Sequence, residues 1–178
     1  MEKLMLVKPT DEYFDEICEY RQEWLDNDSH SHGDLHLYDT SDIALWIKNC
    51  RLYENRETLP DSQYVEHVEC EQFMLVREGE KRVLGMVNFR HHLENPYLAK
   101  HWGNIGFGVR FCERGKGYSK AILKLCLEKC RDYGLDKILV TCDPDNAASR
   151  RTIISCGGQF EGIVQTGDEI DERYWINL

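Results

Sequence analysis

No apolar run in this chain is long enough to cross a membrane or to form the hydrophobic segment of a leader. Near the N-terminus only Leu4 to Val7 is continuously apolar. The expectation is a cytoplasmic protein with no membrane partner. Proline is scarce, four in 178 residues, and there is no low-complexity stretch, repeat or linker, so tandem-repeat architectures are excluded. Positive charge is also short: 22 Lys and Arg stand against 32 Asp and Glu, a formal net charge of −10. Such a surface repels phosphates, so no nucleic-acid partner is expected, and cationic partners are favoured. The eight cysteines contain no Cys-x-x-Cys pair, which argues against a zinc ribbon. Cys126, Cys130 and Cys142 occupy apolar helix or strand positions and read as small buried hydrophobes with reduced thiols. His30, His32 and His36 share a polar loop with Asp28 and Asp34. A solvated loop outweighs a metal site there, and no metal is expected.

What is present is the composition of one globular domain over residues 1–178, 42% hydrophobic and 30% charged. Residues 3–7 read as a strand. Residues 11–26 follow as a helix behind Thr10 as N-cap, with Tyr13, Phe14, Ile17, Tyr20, Trp24 and Leu25 at helical spacing. Residues 41–55 read as a second helix and 59–67 as loop. Residues 71–77 and 82–91 form a hairpin across Glu78-Gly79-Glu80. After an irregular stretch, 93–102, residues 104–110 read as a strand. Its Gly106 and Gly108 mark either a bulge or a close backbone approach. Residues 116–133 are the most regular helix, stopped by Gly134. A buried strand, 137–142, leads through Asp143-Pro144-Asp145-Asn146 into a short helix, and two strands near 159–166 and 173–177 close the chain. The order β-α-α-β-β-β-α-β-α-β-β predicts an α/β fold with a mixed sheet.

The most informative stretch is Glu113-Arg114-Gly115-Lys116-Gly117-Tyr118-Ser119. A strand that feeds a glycine-rich turn into a helix N-terminus exposes backbone N–H groups to an anion, and the helix dipole adds partial positive charge. Arg110, Arg114 and Lys116 supply local cations. Ordinary glycine punctuation between strand and helix is the competing reading of the same residues.

Residues 114–119 resemble the acyl-CoA pyrophosphate loop of the GNAT N-acetyltransferases, Arg/Gln-x-x-Gly-x-Gly/Ala, with Ser119 in place of the last small residue. Asn146-Ala147-Ala148-Ser149, followed by Gly157-Gly158, resembles that family's Asn-x-x-Ala/Ser helix, although Gly158 stands where the family often has Phe. The resemblance is strong over residues 73–162 and weak before Glu71. It implies a single-domain GNAT-type α/β fold, a mixed, mostly antiparallel central sheet flanked by helices, whose fourth strand bulges and splays from the next. It also implies acetyl-CoA as co-substrate and transfer to a primary amine by direct attack in a ternary complex. The cofactor would be held by the backbone of Arg114, Gly115, Lys116, Gly117, Tyr118 and Ser119, by Asn146, and by an amide near Val109 that polarises the thioester. Asn146 also reads as a plain helix N-cap. The acceptor would be a small-molecule or peptide amine, and a homodimer stays open.

One departure stands out. Many family members carry a leaving-group Tyr seven residues after the motif Asn, and that position here is Ile153. This favours an alternative, a non-catalytic acyl-CoA-binding sensor or interaction module. For the proton of the attacking amine, His91 and His92 end the third strand, and adjacent strand residues point to opposite faces, so at most one can face the cleft. Both also read as ordinary surface or packing histidines. Cys112, near the phosphate turn, is a rival nucleophile, but no His or Asp is placed in sequence to activate it. Trp24 and Trp46 read as core residues, either of which would line the amine pocket if its helix covers it.

Overall fold

The computed structural model describes residues 3–27, 29, 32–60 and 68–178. His30, Asp28 and most of the loop expected at 59–67 lie outside the described residues. The strands are β1 (Leu4–Val7), β2 (Cys70–Arg77), β3 (Gly85–Arg90), β4 (Ile105–Val109), β5 (Lys137–Cys142), β6 (Gln159–Thr166) and β7 (Glu169–Asn177). The helices are α1 (Phe14–Asp26), α2 (Ile43–Leu52), α3 (Tyr118–Tyr133) and α4 (Ala147–Ser155). The strand and helix order is the expected one.

The sheet falls into two antiparallel parts, β1-β2-β3-β4 and β5-β7-β6. They touch where the Asn104 N–H donates to the Leu139 carbonyl at 2.7 Å and the Leu139 N–H donates to Asn104 Oδ1 at 2.9 Å. Beyond that crossing β4 and β5 are not paired.

Strand alternation sorts the first sheet into two faces. Phe73, Leu75, Val87, Phe89, Ile105 and Val109 join a core with Ile122, Leu123, Cys126, Leu127 and Cys130 of α3, and with Ile153 of α4. Burial of each such side chain contributes roughly 1.5–3 kcal/mol before entropy is counted. Met74 and Met86 face the other way, into a second core with Ile17, Tyr20 and Trp24 of α1 and Ile43, Trp46 and Ile47 of α2. On this same face Gln72, Asn88 and Arg90 are buried. A strand that buries polar side chains on one face has a reason to do so, because each must be partnered.

Local details depart from the sequence reading. Residues 11–13 are a 3₁₀ turn ahead of α1, and the Thr10 side chain makes no capping bond. Asp42 caps α2, accepting from the Leu45 N–H. The irregular stretch contains a π turn at Leu98–Trp102. The bulge expected in β4 is absent: its register against β3 runs unbroken from Phe89↔Ile105 to Gly85↔Val109. The glycines serve the other purpose, close approach. A Cβ on Gly108 would lie 2.8 Å from the His32 carbonyl oxygen, and one on Gly33 would lie 2.0 Å from the Gly106 carbonyl oxygen. The loop after α1 therefore lies directly on β4, and only backbone fits between them.

Candidate active site

Past Val109 the chain makes a 3₁₀ turn at Phe111–Glu113 and enters α3 through Gly115 and Gly117, both left-handed, at φ 78° and 86°. Six consecutive amides, residues 115–120, have no hydrogen-bond acceptor among the described residues; the ladder begins with Ala121 N–H to Gly117 C=O. No side chain caps α3, and nothing lies within 4 Å of a Cβ built on Gly115 or Gly117. A run of free N–H groups at a helix N-terminus, with an open approach, is an anion cradle.

The cations near it sort differently from the sequence expectation. Arg110 is buried and bound by three carboxylates of α1, Glu23 at 2.6 Å, Glu16 at 3.2 Å and Glu19 at 3.4 Å. It ties helix to strand and does not serve a ligand. Lys116 pairs with Glu113 at 2.8 Å. Arg114 lies 3.8 Å from the centre of the Phe111 ring and has no ion pair among the described residues. Tyr118 points inward, its hydroxyl accepting from Arg77 at 2.7 Å. Ser119 lies in the first turn of α3.

The edge of β4 that faces β5 carries free amides. The Arg110 N–H donates to Leu84 C=O at 2.9 Å, which fixes the parity of the ladder. Gly106 and Gly108 thus bond to β3, while the N–H groups of Phe107 and Val109 point to the unpaired edge.

Between the parted strands lies a cavity of about 590 Å³. Its floor comes from strands: Asn88 and Arg90 of β3, Gly106 and Phe107 of β4, and Thr141 of β5. Asn146 and Ser149 line it too, and Asn146 also caps α4 by accepting from the Ser149 N–H at 3.0 Å. Asn146 is thus the N-cap of α4 and a wall of the cavity at once.

Three loops complete the wall. The first is residues 32–39, expected to be a solvated loop. It is held firmly: Trp46 Nε1 donates to the Leu35 carbonyl at 2.8 Å, Arg21 donates to the Leu37 and Tyr38 carbonyls, and Asp34 accepts the Tyr38 N–H. Leu35 and His36 have φ of 49° and 62°, strained for residues with a side chain. Trp46 thus holds the wall without entering the cavity, and Trp24 is core. The second loop contributes Asp143. The third is the β6–β7 turn at Asp168, continued by Glu169 and Asp171 at the start of β7.

Behind that turn, His101 is buried, with Nδ1 2.8 Å from Asp171 and Nε2 3.0 Å from the Thr166 hydroxyl. Glu169 accepts from the Tyr97 hydroxyl at 2.8 Å. Ligand atoms of His101, Glu169 and Asp171 lie within 4.8 Å of one another. Each already has a partner, so the group reads as a hydrogen-bonded brace rather than a metal centre. Burial raises the Asp171 carboxyl above the usual range, with His101 opposing the shift. Burial also pushes the Cys70 and Cys142 thiols at the cavity up to about 11. Both stay protonated near neutral pH and are poor nucleophiles.

Neither His91 nor His92 lines the cavity, which corrects the expectation that one of them faces it. His91 is buried on the Phe89 side of the sheet, stacked on Tyr133 at 4.2 Å between ring centroids. Its ring nitrogens lie 3.3 Å from Glu69 and 3.5 Å from Glu71. His92 is half exposed beside Glu69. Cys112 also lies outside the cavity, next to Glu23 and Arg82. Ile153 is fully buried in the core.

Comparison with curated protein sequences gave no match. Among solved structures, similarity to the microcin C7 self-immunity acetyltransferase MccE, in complex with acetyl-CoA and AMP, has a TM-score of 0.72 at 16% identity. It covers 100% of this chain and 94% of that one. RimJ of Mycobacterium smegmatis, in complex with CoA-disulfide, gives 0.67 at 17% identity over 98% and 81% of the two chains. A putative ribosomal-protein-serine acetyltransferase from Vibrio cholerae gives 0.66 at 17% identity, covering 100% and 95%. At these identities the likeness shows the fold. The family model described as "Acetyltransferase (GNAT) domain" matches residues 3–159, nearly the whole chain. The protein belongs to the GNAT acetyltransferase family.

Proposed function

We propose that the protein transfers the acetyl group of acetyl-CoA to a primary amine by direct attack in a ternary complex. The observation that carries this reading is the parting of β4 from β5 after Asn104, with a cavity in the gap and six free amides at the α3 N-terminus. The residues fit acetyl-CoA. The amides of Gly115 to Lys120 suit a pyrophosphate, each such charge-assisted bond contributing roughly 1.5–3 kcal/mol net. The edge amides of Phe107 and Val109 would hold the arm and polarise the thioester carbonyl, and Asn146 and Ser149 would bound it from α4.

The amine must be neutral to attack, and its proton needs a destination. We assign Asp171 to accept it, directly or through water, with His101 fixing the carboxylate. The departing sulfur needs no acid, because a thiol of ordinary pKa, about 8.5, leaves readily as thiolate. Ile153 in the core is thereby compatible with turnover. Direct transfer is favoured over a covalent enzyme intermediate because the cavity thiols are held protonated and Cys112 is elsewhere.

The absence of a phenol at Ile153 also favours a second reading, a non-catalytic acyl-CoA-binding module. Release of free CoA thiol, followed with a panel of primary amines, separates the two. Amine-dependent release that falls at least about tenfold in Asp171→Asn supports the enzyme. Tight acetyl-CoA binding without release under any amine supports the module.

A further inference from the structure

The cavity is divided by charge. Its floor on β3, β4 and β5 is neutral apart from Arg90: Asn88, Ile105, Gly106, Phe107 and Thr141. Its loops and the start of β7 carry six carboxylates: Asp34 and Asp39 on the first loop, Asp143 on the second, Asp168 in the β6–β7 turn, and Glu169 and Asp171 on β7. Against the single guanidinium this is a formal balance of −5 with the histidines neutral. Arg90 is itself engaged with the Trp102 and Gly103 carbonyls. A ligand with a carboxylate or phosphate at its outer end would meet repulsion from three directions.

A uniformly acidic cavity would be a poor place to acetylate an amine, since surrounding carboxylates stabilise the ammonium and suppress the nucleophile. The separation removes that conflict. One nitrogen can lie over the neutral floor, next to the free edge of β4, while a second, permanently protonated nitrogen lies at the acidic rim. Resting on the amine-acetylation reading above, we infer that the acceptor is a small dication or polycation, an aliphatic diamine or polyamine. The near nitrogen is acetylated within reach of Asp171, and the far ammonium is held by Asp168 of the β6–β7 turn and the carboxylates of the loop at 34–39. In the transfer the near nitrogen forms the N–C bond, the C–S bond breaks, the electron pair leaves on the CoA sulfur, and the amine proton passes to Asp171 or water. The far nitrogen keeps its charge throughout.

Length-matched probes test this: pentylamine, 1,5-diaminopentane and 5-aminopentanoate, each with acetyl-CoA. The expected kcat/KM for the diamine exceeds that for the monoamine by about tenfold or more, and the amino acid is the poorest. Raising the ionic strength should narrow the ratio, because Asp39, Asp143 and Asp168 of the rim are solvent-exposed. Asp168→Asn, an exposed turn residue, should narrow it as well by lowering the diamine value. Equal values for monoamine and diamine would overturn the inference and leave acetyl transfer intact. So would a preference for the amino acid, or for a basic peptide over every diamine. Calorimetric titration of the same three compounds keeps the two readings apart. Diamine binding without CoA release would sustain the cationic site and defeat the enzyme reading, and no diamine binding or turnover would overturn the inference.

Discussion

The two halves of the site are made of different material. The half proposed for the cofactor is backbone: free amides of residues 115–120 and the bare edge of β4, shaped by Gly115 and Gly117. The half proposed for the acceptor is side chain, gathered from three segments that lie far apart in sequence. Backbone recognition leaves a short contiguous signature, because left-handed turns demand glycine at fixed spacing. Side-chain recognition leaves none, because what matters is where loops meet in space. The halves should therefore fail independently, and one substitution in each tests that separation.

The largest effect is expected from Gly33→Val. Gly33 has φ 71°, and its Cβ would lie 2.0 Å from the Gly106 carbonyl oxygen, so the loop at 32–39 must lift from β4. The amine kcat/KM should fall about a hundredfold or more, while acetyl-CoA affinity changes much less. Calorimetry with acetyl-CoA on the folded variant provides the check. A parallel loss of cofactor affinity would mean that the halves are not separate.

Gly117→Val is the reciprocal test. Its Cβ would meet nothing in the protein, so the cost comes from φ 86° and from the ligand's approach. Acetyl-CoA should bind more than about tenfold more weakly in a folded protein, with the diamine-to-monoamine ratio preserved. Unchanged affinity would remove the phosphate turn from the mechanism.

These two glycines also show what the sequence could reveal. The order of strands and helices was legible because hydrophobic period changes at each junction, and the 115–117 turn because motif and conformation coincide. Gly33 carried no such mark. Its role depends on Gly106 and Gly108 some 70 residues later, whose spacing fitted a bulge equally well until the loop was seen lying on them. Arg110 misled for a related reason: its neighbours in sequence suggested a phosphate, while its neighbours in space, Glu16, Glu19 and Glu23, come from α1. The buried polar residues Gln72, Asn88 and Arg90 were the one available hint of an acceptor face, alternating with apolar residues on β2 and β3.

A smaller effect concerns stability outside both halves. His91, 3.5 Å away, and Lys8, at 2.6 Å, hold the Glu71 carboxyl down to about 2, against burial that would raise it. The folded value lies below the ordinary carboxylate value of about 4.3, so this contribution is complete above roughly pH 5 and is lost as pH falls toward 2. Because the group is partly exposed, it amounts to on the order of 1 kcal/mol. Glu71→Gln should flatten the fall in urea midpoint between pH 6 and pH 3 relative to wild type. An unaltered slope would show that Glu71 does not titrate in that window.

The smallest effect belongs to the histidines that the sequence put forward as bases. His91 is sealed between Tyr133 and two glutamates, and His92 sits beside Glu69 at the surface; neither reaches the cavity. A base must lie within hydrogen-bond reach of the proton it removes, or one water away. His92→Ala should keep the wild-type rate and pH profile. His91→Ala leaves Glu69 and Glu71 facing a void, so its melting temperature should drop, yet kcat/KM of the folded fraction should keep the same pH dependence. Asp171→Asn should lower the rate without a comparable loss of stability, since its partner His101 can still hydrogen-bond an amide. If instead the pH dependence of kcat/KM were lost in His91→Ala or His92→Ala and survived in Asp171→Asn, proton transfer would have to run through the α3 side of the sheet. The boundary between the acceptor half and the rest of the molecule would then be drawn in the wrong place.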